Sequence, residues 1–227
     1  MRNLLYIDVC VTGKYNSFAL NYFQQAKIDI DFREKDSEIL SNAKPDFIAF
    51  NYYSTFTVKY VEPNFEYQNK KSFDQQTGFD VPGMFESVKN PNLLANEYGW
   101  EIDPIGFKTT LRELYSRYQL PLMITENGVS TREQLNEHNT VEDDYRIKYY
   151  HEHILQMRKA ISEGVVVISY NPWTAIDLVS SHQGFQKRYG FIYVDRDEHN
   201  LKDMKRYFKK SFYWYQELIK NNAKNIK

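Results

Sequence analysis

Pro121-Leu122-Met123-Ile124-Thr125-Glu126-Asn127-Gly128 is the stretch on which the fold of this chain turns. Its apolar residues run on without polar alternation, then give way to a carboxylate, an amide and a glycine. Continuous runs of this kind mark parallel strands buried on both faces, because a strand with one wet face alternates. Two other segments share the pattern. Asp46-Phe47-Ile48-Ala49-Phe50 follows Pro45, and Val165-Val166-Val167-Ile168 follows Gly164. Around them the apolar spacing changes to i, i+3, i+4, the helical period. It predicts helices over 16–26, 32–43, 106–118, 142–162 and 203–222, with Gly164 closing the fourth. The stretch 54–104 reads as a long loop, with turn signals at Pro63, Gly78, Pro82, Gly83 and Pro91. Strand, loop and helix in succession give the α/β class, where ligands bind at loops beyond the carboxyl ends of strands.

Composition narrows the function. The 227 residues carry 29 Lys+Arg against 30 Asp+Glu, a net charge of −1. That balance speaks against a nucleic-acid partner. The basic series Lys202, Lys205, Arg206, Lys209 and Lys210 reads as the solvated face of the last helix. Cys10 is the one cysteine, so no disulfide framework exists, as suits a reducing compartment. No run of about 18 apolar residues occurs, so no membrane span is expected. Met1 to Val11 is briefly apolar, but Asp8 interrupts it, and it does not read as a signal peptide. Residues 221–227 read as a frayed tail. His151 and His153 flank Glu152 on one predicted helix, but residues two apart do not share a helical face. They read as surface residues, and no metal site is expected.

Each strand delivers polar or aromatic groups to the same end of the sheet. Asn51, Tyr52 and Tyr53 follow the first, Glu126 and Asn127 the second, and Tyr170, Asn171 and Trp173 the third. A carboxylate there can act as nucleophile or base, and an indole face can stack on a sugar. Ile124-Thr125-Glu126-Asn127-Gly128 resembles the I/V-T-E-N-G signature of glycoside hydrolase family 1. Asp46 to Tyr53 is similar to that family's D-F-x-G-x-N-Y-Y, with Ala49 at the glycine. Trp100-Glu101-Ile102-Asp103-Pro104 with Gly106 resembles its W-E-I-x-P-x-G segment. Trp173 to Asp177, Lys187 to Gly190 and Tyr193 to Asp195 resemble its last-strand block.

The resemblance implies a (β/α)8 TIM barrel of retaining glycosidases. It makes Glu126 the nucleophile, Tyr53 the hydroxyl that orients it, Asn51 a sugar contact and Trp173 the floor under the ring. It implies no cofactor. Seven residues after Trp173 stands Ser180, where plain β-glucosidases of the family carry a glutamate. Ser180, Lys187 and Tyr189 match the phosphate-binding set of the 6-phospho-β-glycosidase branch. Hydroxyl and ammonium groups suit a phosphate dianion that a carboxylate would repel. Ser181, small where the phospho-galactosidases carry a tryptophan, favours 6-phospho-β-glucosides as substrate. His182 adjoins this loop. Sugar 6-phosphates are intracellular, so the implied location is cytoplasmic.

Three parts of the family's pattern are absent: the N-terminal segment with its sugar-binding glutamine, the His-Trp pair after the third strand, and the acid/base motif. The family's acid/base lies in a T-x-N-E-P motif, and Val61-Glu62-Pro63-Asn64 lacks the preceding asparagine. A full barrel takes about 250 residues. The chain therefore reads as a single partial domain over 1–227, comprising strands six to eight with their helices, the C-terminal half of an incomplete barrel. A separate N-terminal half is the expected partner for turnover. The alternatives are a non-catalytic phospho-sugar-binding or decayed fragment, a 6-phospho-β-galactosidase, and a plain β-glucosidase.

Overall fold

A computed structural model describes residues 4–62, 80–81, 83–181, 183–224 and 226. Pro63, Gly78, Pro82 and His182 lie outside them. Three helices lead in: α1 (Leu4–Thr12), α2 (Ser17–Gln25) and α3 (Asp36–Asn42). Then follow β1 (Ile48–Tyr52), β2 (Thr57–Tyr60), β3 (Phe85–Val88), α4 (Pro104–Tyr118), β4 (Leu122–Asn127), α5 (Asp144–Ser162) and β5 (Val167–Pro172). The chain closes with β6 (Ile192–Val194), β7 (Arg206–Phe208) and α6 (Lys210–Lys220). The three strands singled out in the sequence form one sheet in the order β1-β4-β5, with both pairings parallel.

Local chemistry sets the helix that backs this sheet. Asp103 accepts the Gly106 amide at 2.7 Å as the N-cap of α4, and Pro104 opens the helix, where its missing N–H costs nothing. Gln119 ends it in the left-handed region at φ 55. Phe107 and Leu111 of α4 and Leu122 and Ile124 of β4 are all fully buried against one another. Each such side chain contributes about 1.5–3 kcal/mol of apolar burial.

The expectation that the strands are buried on both faces does not hold. Along β1, buried Ile48 and Tyr52 alternate with exposed Ala49 and Asn51, and beside and within β5 Val166 and Ile168 are 43% and 54% exposed. The described helices cover one face of the sheet. Beside β1 a cavity of about 650 Å³ opens, lined by Leu4, Ile7, Phe50, Val58 and Leu114 among others.

Residues 4–12 are helical, held by Asp8 as described below. Three other expectations are corrected. The long loop contains the antiparallel hairpin of β2 and β3. The last helix starts at Lys210 because Arg206–Phe208 is drawn into pairing with β6. The tail is not frayed where it is described: Ile226 is 4% exposed, and Arg158 donates to the Ala223 carbonyl at 2.9 Å. No helix among the described residues is long and apolar enough to cross a membrane.

One carboxylate ties α1 and the start of α2 to α4, beside the apolar packing of Leu4, Ile7 and Val11. Asp8, 2% exposed, accepts Arg117 Nε at 2.7 Å and Nη2 at 2.8 Å, the Tyr118 hydroxyl at 2.6 Å and Asn16 Nδ2 at 2.6 Å. The Arg117 hydrogen bond, helped by those of Tyr118 and Asn16, outweighs desolvation and holds the carboxyl at about 2. A depressed carboxyl pKa contributes stability above its unfolded value, and that contribution fades as pH falls. Asp8→Asn should therefore destabilise the chain at neutral pH in denaturant titrations. Its deficit against wild type should shrink as pH falls from the ordinary 3.8 towards 2. A deficit independent of pH would contradict the role given to Asp8.

Candidate active site

The carboxyl end of β4 is shaped by irregular pairing. Phe50 faces Ile124 and the next β1 residue, Asn51, faces Glu126, so Thr125 is an extra residue on β4. The β4–β5 pairing also shifts register between Ile124 and Asn127. A bulge re-aims the side chains that follow it. Here it sets Glu126, half-buried, against Tyr53, whose hydroxyl donates to Glu126 Oε2 at 2.6 Å. Burial, reinforced by the Glu126 hydrogen bond, pushes the Tyr53 hydroxyl pKa far above the ordinary range. Tyr53 thus stays a donor at any working pH, aimed at Glu126 Oε2.

The neighbours are fixed from behind. Asn127, fully buried, donates through Nδ2 to the Tyr52 carbonyl at 2.7 Å and the Tyr149 hydroxyl at 2.9 Å. Its Oδ1 accepts the Tyr170 hydroxyl at 2.6 Å. Asn51 is exposed and accepts Thr125 Oγ1 at 2.6 Å. Half-buried Trp173 donates its amide to the Asn127 carbonyl at 2.8 Å. Its own carbonyl accepts the Tyr150 hydroxyl at 3.2 Å.

Lys187 and Tyr189 join the same region through aromatic contacts. Lys187 is 1% exposed, with Nζ 3.9 Å from the Trp100 ring centre, 4.5 Å from that of Tyr98 and 5.8 Å from that of Tyr189. Desolvated cation–π contacts of this kind reach about 2 kcal/mol. Trp100 in turn packs edge-on to Tyr53 at 5.2 Å, so one indole links the Tyr53–Glu126 pair to the lysine. In the sequence Trp100 stands only within a motif, and Tyr98 carries no signal of its own. Nothing in residue spacing reveals a contact made across 87 positions of chain between Trp100 and Lys187.

Ser180 and Ser181 sit on a separate turn. Ser180 is buried and exchanges backbone hydrogen bonds with Gly184 at 2.9 and 3.1 Å, while Ser181 is exposed. Gly184 takes φ +66, and Glu198 packs so tightly against it that a Cβ would meet Oε1 at 1.9 Å. Glu198 also accepts the Phe185 and Gln186 amides at 2.6 and 3.0 Å.

Beneath these loops lies a buried ionic network that the sequence did not suggest. The Arg146 guanidinium, fully buried, donates to the Val129 and Tyr189 carbonyls at 2.7 Å each, to Asp143 at 2.9 Å and to Glu133 at 2.6 Å. Lys209 bridges Glu133 and Asp177, and Arg188 pairs with Asp177 at 2.8 Å. Lys209 is therefore in the core, not on a solvated face: Glu133 and Asp177 compensate its buried charge. His153 is likewise buried, against the expectation of a surface residue. Its ring stacks on Tyr149 at 3.9 Å, and burial pushes its pKa down to about 4, so it is neutral at ordinary pH. No cluster of potential metal ligands occurs among the described residues.

The sequence profile of glycosyl hydrolase family 1 matches residues 1–224. The chain belongs to that family. This family 1 chain is 41% identical to the aryl-phospho-beta-D-glucosidase BglC of Bacillus subtilis, over 99% of its own length and 48% of that protein. It is 42% identical to a 6-phospho-beta-glucosidase of Clostridium longisporum, over 99% of its own length and 46% of that protein. The family 1 β-glucosidase from Thermotoga maritima superposes with a TM-score of 0.78 at 30% identity, covering 96% of this chain and 43% of that one. The family 1 chain thus spans about half the length of the relatives it matches, and its parallel sheet with backing helices is part of a (β/α)8 barrel.

Close backbone packing makes the glycine of its T-E-N-G segment obligatory. A Cβ on Gly128 would lie 2.0 Å from the Trp173 carbonyl oxygen. Gly128→Ala should therefore force the ends of β4 and β5 apart, at a cost of about 1–3 kcal/mol. Urea unfolding of the variant checks this, and unchanged stability would show that the two segments can separate freely.

Proposed function

We propose that this chain supplies the nucleophile and the substrate-phosphate site of a retaining 6-phospho-β-glucosidase. The observation that carries the reading is the Tyr53 hydroxyl at 2.6 Å from Glu126, at the carboxyl end of a parallel strand. A carboxylate held this way can attack the anomeric carbon. The C1–oxygen bond then breaks, the leaving oxygen takes a proton from a general acid, and water later releases the glycosyl ester. Ser180, Lys187 and Tyr189 are assigned to the 6-phosphate, with Ser181 favouring the gluco configuration, and Asn51 and Trp173 to the sugar. The names of the relatives from Bacillus subtilis and Clostridium longisporum support this substrate class.

The three parallel strands correspond, in this reading, to the sixth, seventh and eighth of the barrel, and the chain forms one partial catalytic domain. The general acid comes from an N-terminal half, which would close the sheet edge at β1 and cover its open face. General-acid protonation is worth about 10²–10⁴-fold, so turnover by this chain alone should be very low. A sugar phosphate as substrate places the reaction in the cytoplasm, and no cofactor is needed.

The test combines the chain with the separately produced N-terminal half of a 6-phospho-β-glucosidase relative. Cleavage of an aryl 6-phospho-β-glucoside is expected, with strong preference over the unphosphorylated and the galacto compounds. A dinitrophenyl 2-deoxy-2-fluoro-6-phosphoglucoside should label Glu126, read by peptide mass spectrometry, and Glu126→Gln should abolish that label. Labelling of another carboxylate would move the nucleophile. Preference for unphosphorylated glucosides would remove the phosphate assignment, and no cleavage by the pair would leave a binding fragment.

A further inference from the structure

Tyr149 of α5 is buried, and its hydroxyl touches both residues that flank Glu126 functionally. It accepts Asn127 Nδ2 at 2.9 Å, and Asn127 is the residue next to Glu126. It donates to the Tyr53 carbonyl at 3.3 Å, and Tyr53 is the residue whose side chain holds Glu126. The path Glu126–Asn127–Tyr149–Tyr53–Glu126 is therefore a closed ring of covalent and hydrogen bonds that joins β1, β4 and α5.

Donor counting shows why this hydroxyl is needed. The Asn127 amide has two hydrogens, and the Tyr52 carbonyl takes one at 2.7 Å. The second goes to Tyr149, in a site where Asn127 is fully buried and Tyr149 is 2% exposed. No solvent is at hand to replace that acceptor, and an orphaned buried donor is costly. The Tyr149 ring is itself clamped: His153 stacks on it at 3.9 Å, and Tyr150 packs edge-on at 5.7 Å. Neutral His153 also binds the Tyr149 carbonyl through Nδ1 at 2.7 Å.

We propose that Tyr149 is a positioning residue for the nucleophile, its hydroxyl locking Asn127 and the Tyr53 backbone so that the Tyr53 side chain stays on Glu126. The proposal rests on the reading of Glu126 as nucleophile. Asn127 fixes the backbone on one side of the carboxylate and Tyr53 its hydrogen bond on the other, and one rigid hydroxyl sets the two in relation. Loss of that hydroxyl leaves Tyr53 and Glu126 present but free to drift apart.

The experiment uses this chain and needs no turnover. In wild type, the Tyr149 hydroxyl proton should be protected from solvent exchange and show a nuclear Overhauser contact to the Asn127 side-chain amide. In Tyr149→Phe, the Tyr53 hydroxyl proton should move upfield and exchange about tenfold faster or more. Tyr150→Phe is the control. Tyr150 is equally buried on the same helix, but its hydroxyl binds the Trp173 carbonyl, so the Tyr53 signal should not move. An unchanged Tyr53 signal in Tyr149→Phe, or equal change in both variants, overturns the proposal. If Tyr149→Phe does not fold cooperatively, the wild-type spectrum decides, and a missing Tyr149–Asn127 contact overturns it. Fluoro-sugar labelling away from Glu126 with this coupling intact would count against the nucleophile assignment and not against the hydrogen-bond ring.

Discussion

The buried guanidinium of Arg146 is the interaction on which the rest of the site depends. It grips the loop after β4 through the Val129 carbonyl and the last block through the Tyr189 carbonyl, while its own helix carries Tyr149 and Tyr150. Burial alone would lower its pKa, but Glu133, Tyr145 and Asp143 raise it well above the ordinary value, so the group is charged. Burial likewise opposes ionisation of Glu133, whose pKa is nevertheless held low by Arg146 and Lys209. Three acids, Asp143, Glu133 and Asp177, thus alternate with three bases, Arg146, Lys209 and Arg188. Such a network adds little net stability over an apolar core, but breaking one member strands a buried charge at about 3–5 kcal/mol. Its role is geometric, since directional bonds to two carbonyls fix loops that apolar packing alone would leave free to slide.

Upon that base the sheet contributes one irregularity of consequence. The extra residue at Thr125 turns Glu126 towards Tyr53, and Trp100 packs against Tyr53 on one side and the Lys187 ammonium on the other. The proposed nucleophile and the proposed phosphate lysine therefore share a wall. Ser180 and Ser181 belong to a turn with its own supports, Gly184 and Glu198. The two parts of the phosphate assignment thus rest on different local structure.

Much of this was legible in the residues, and the failures have physical reasons. The runs ending at Phe50, Thr125 and Ile168 announced strands because apolar continuity reports burial. The same continuity overstated burial for Val166 and Ile168, since a sequence run does not say which face another element covers. The last helix was drawn too long because Arg206–Phe208 has helix-compatible spacing, and only the partner β6 makes it a strand. His153 looked like a surface residue beside His151 and Glu152. Its ring is instead packed within reach of Tyr52, Phe107 and Tyr149.

The sequence by itself determined the family, the class of fold and the identity of the residues at the strand ends. Those follow from local composition, period and motif order, which need no knowledge of neighbours. The tertiary structure decided which of those residues meet: Tyr53 with Glu126, Trp100 with Lys187, Tyr149 with Asn127 and Tyr53, and Arg146 with two loops. Each pairing joins segments far apart in the chain, and its energy comes from desolvation and directional hydrogen bonds that exist only once the intervening strands and helices have packed.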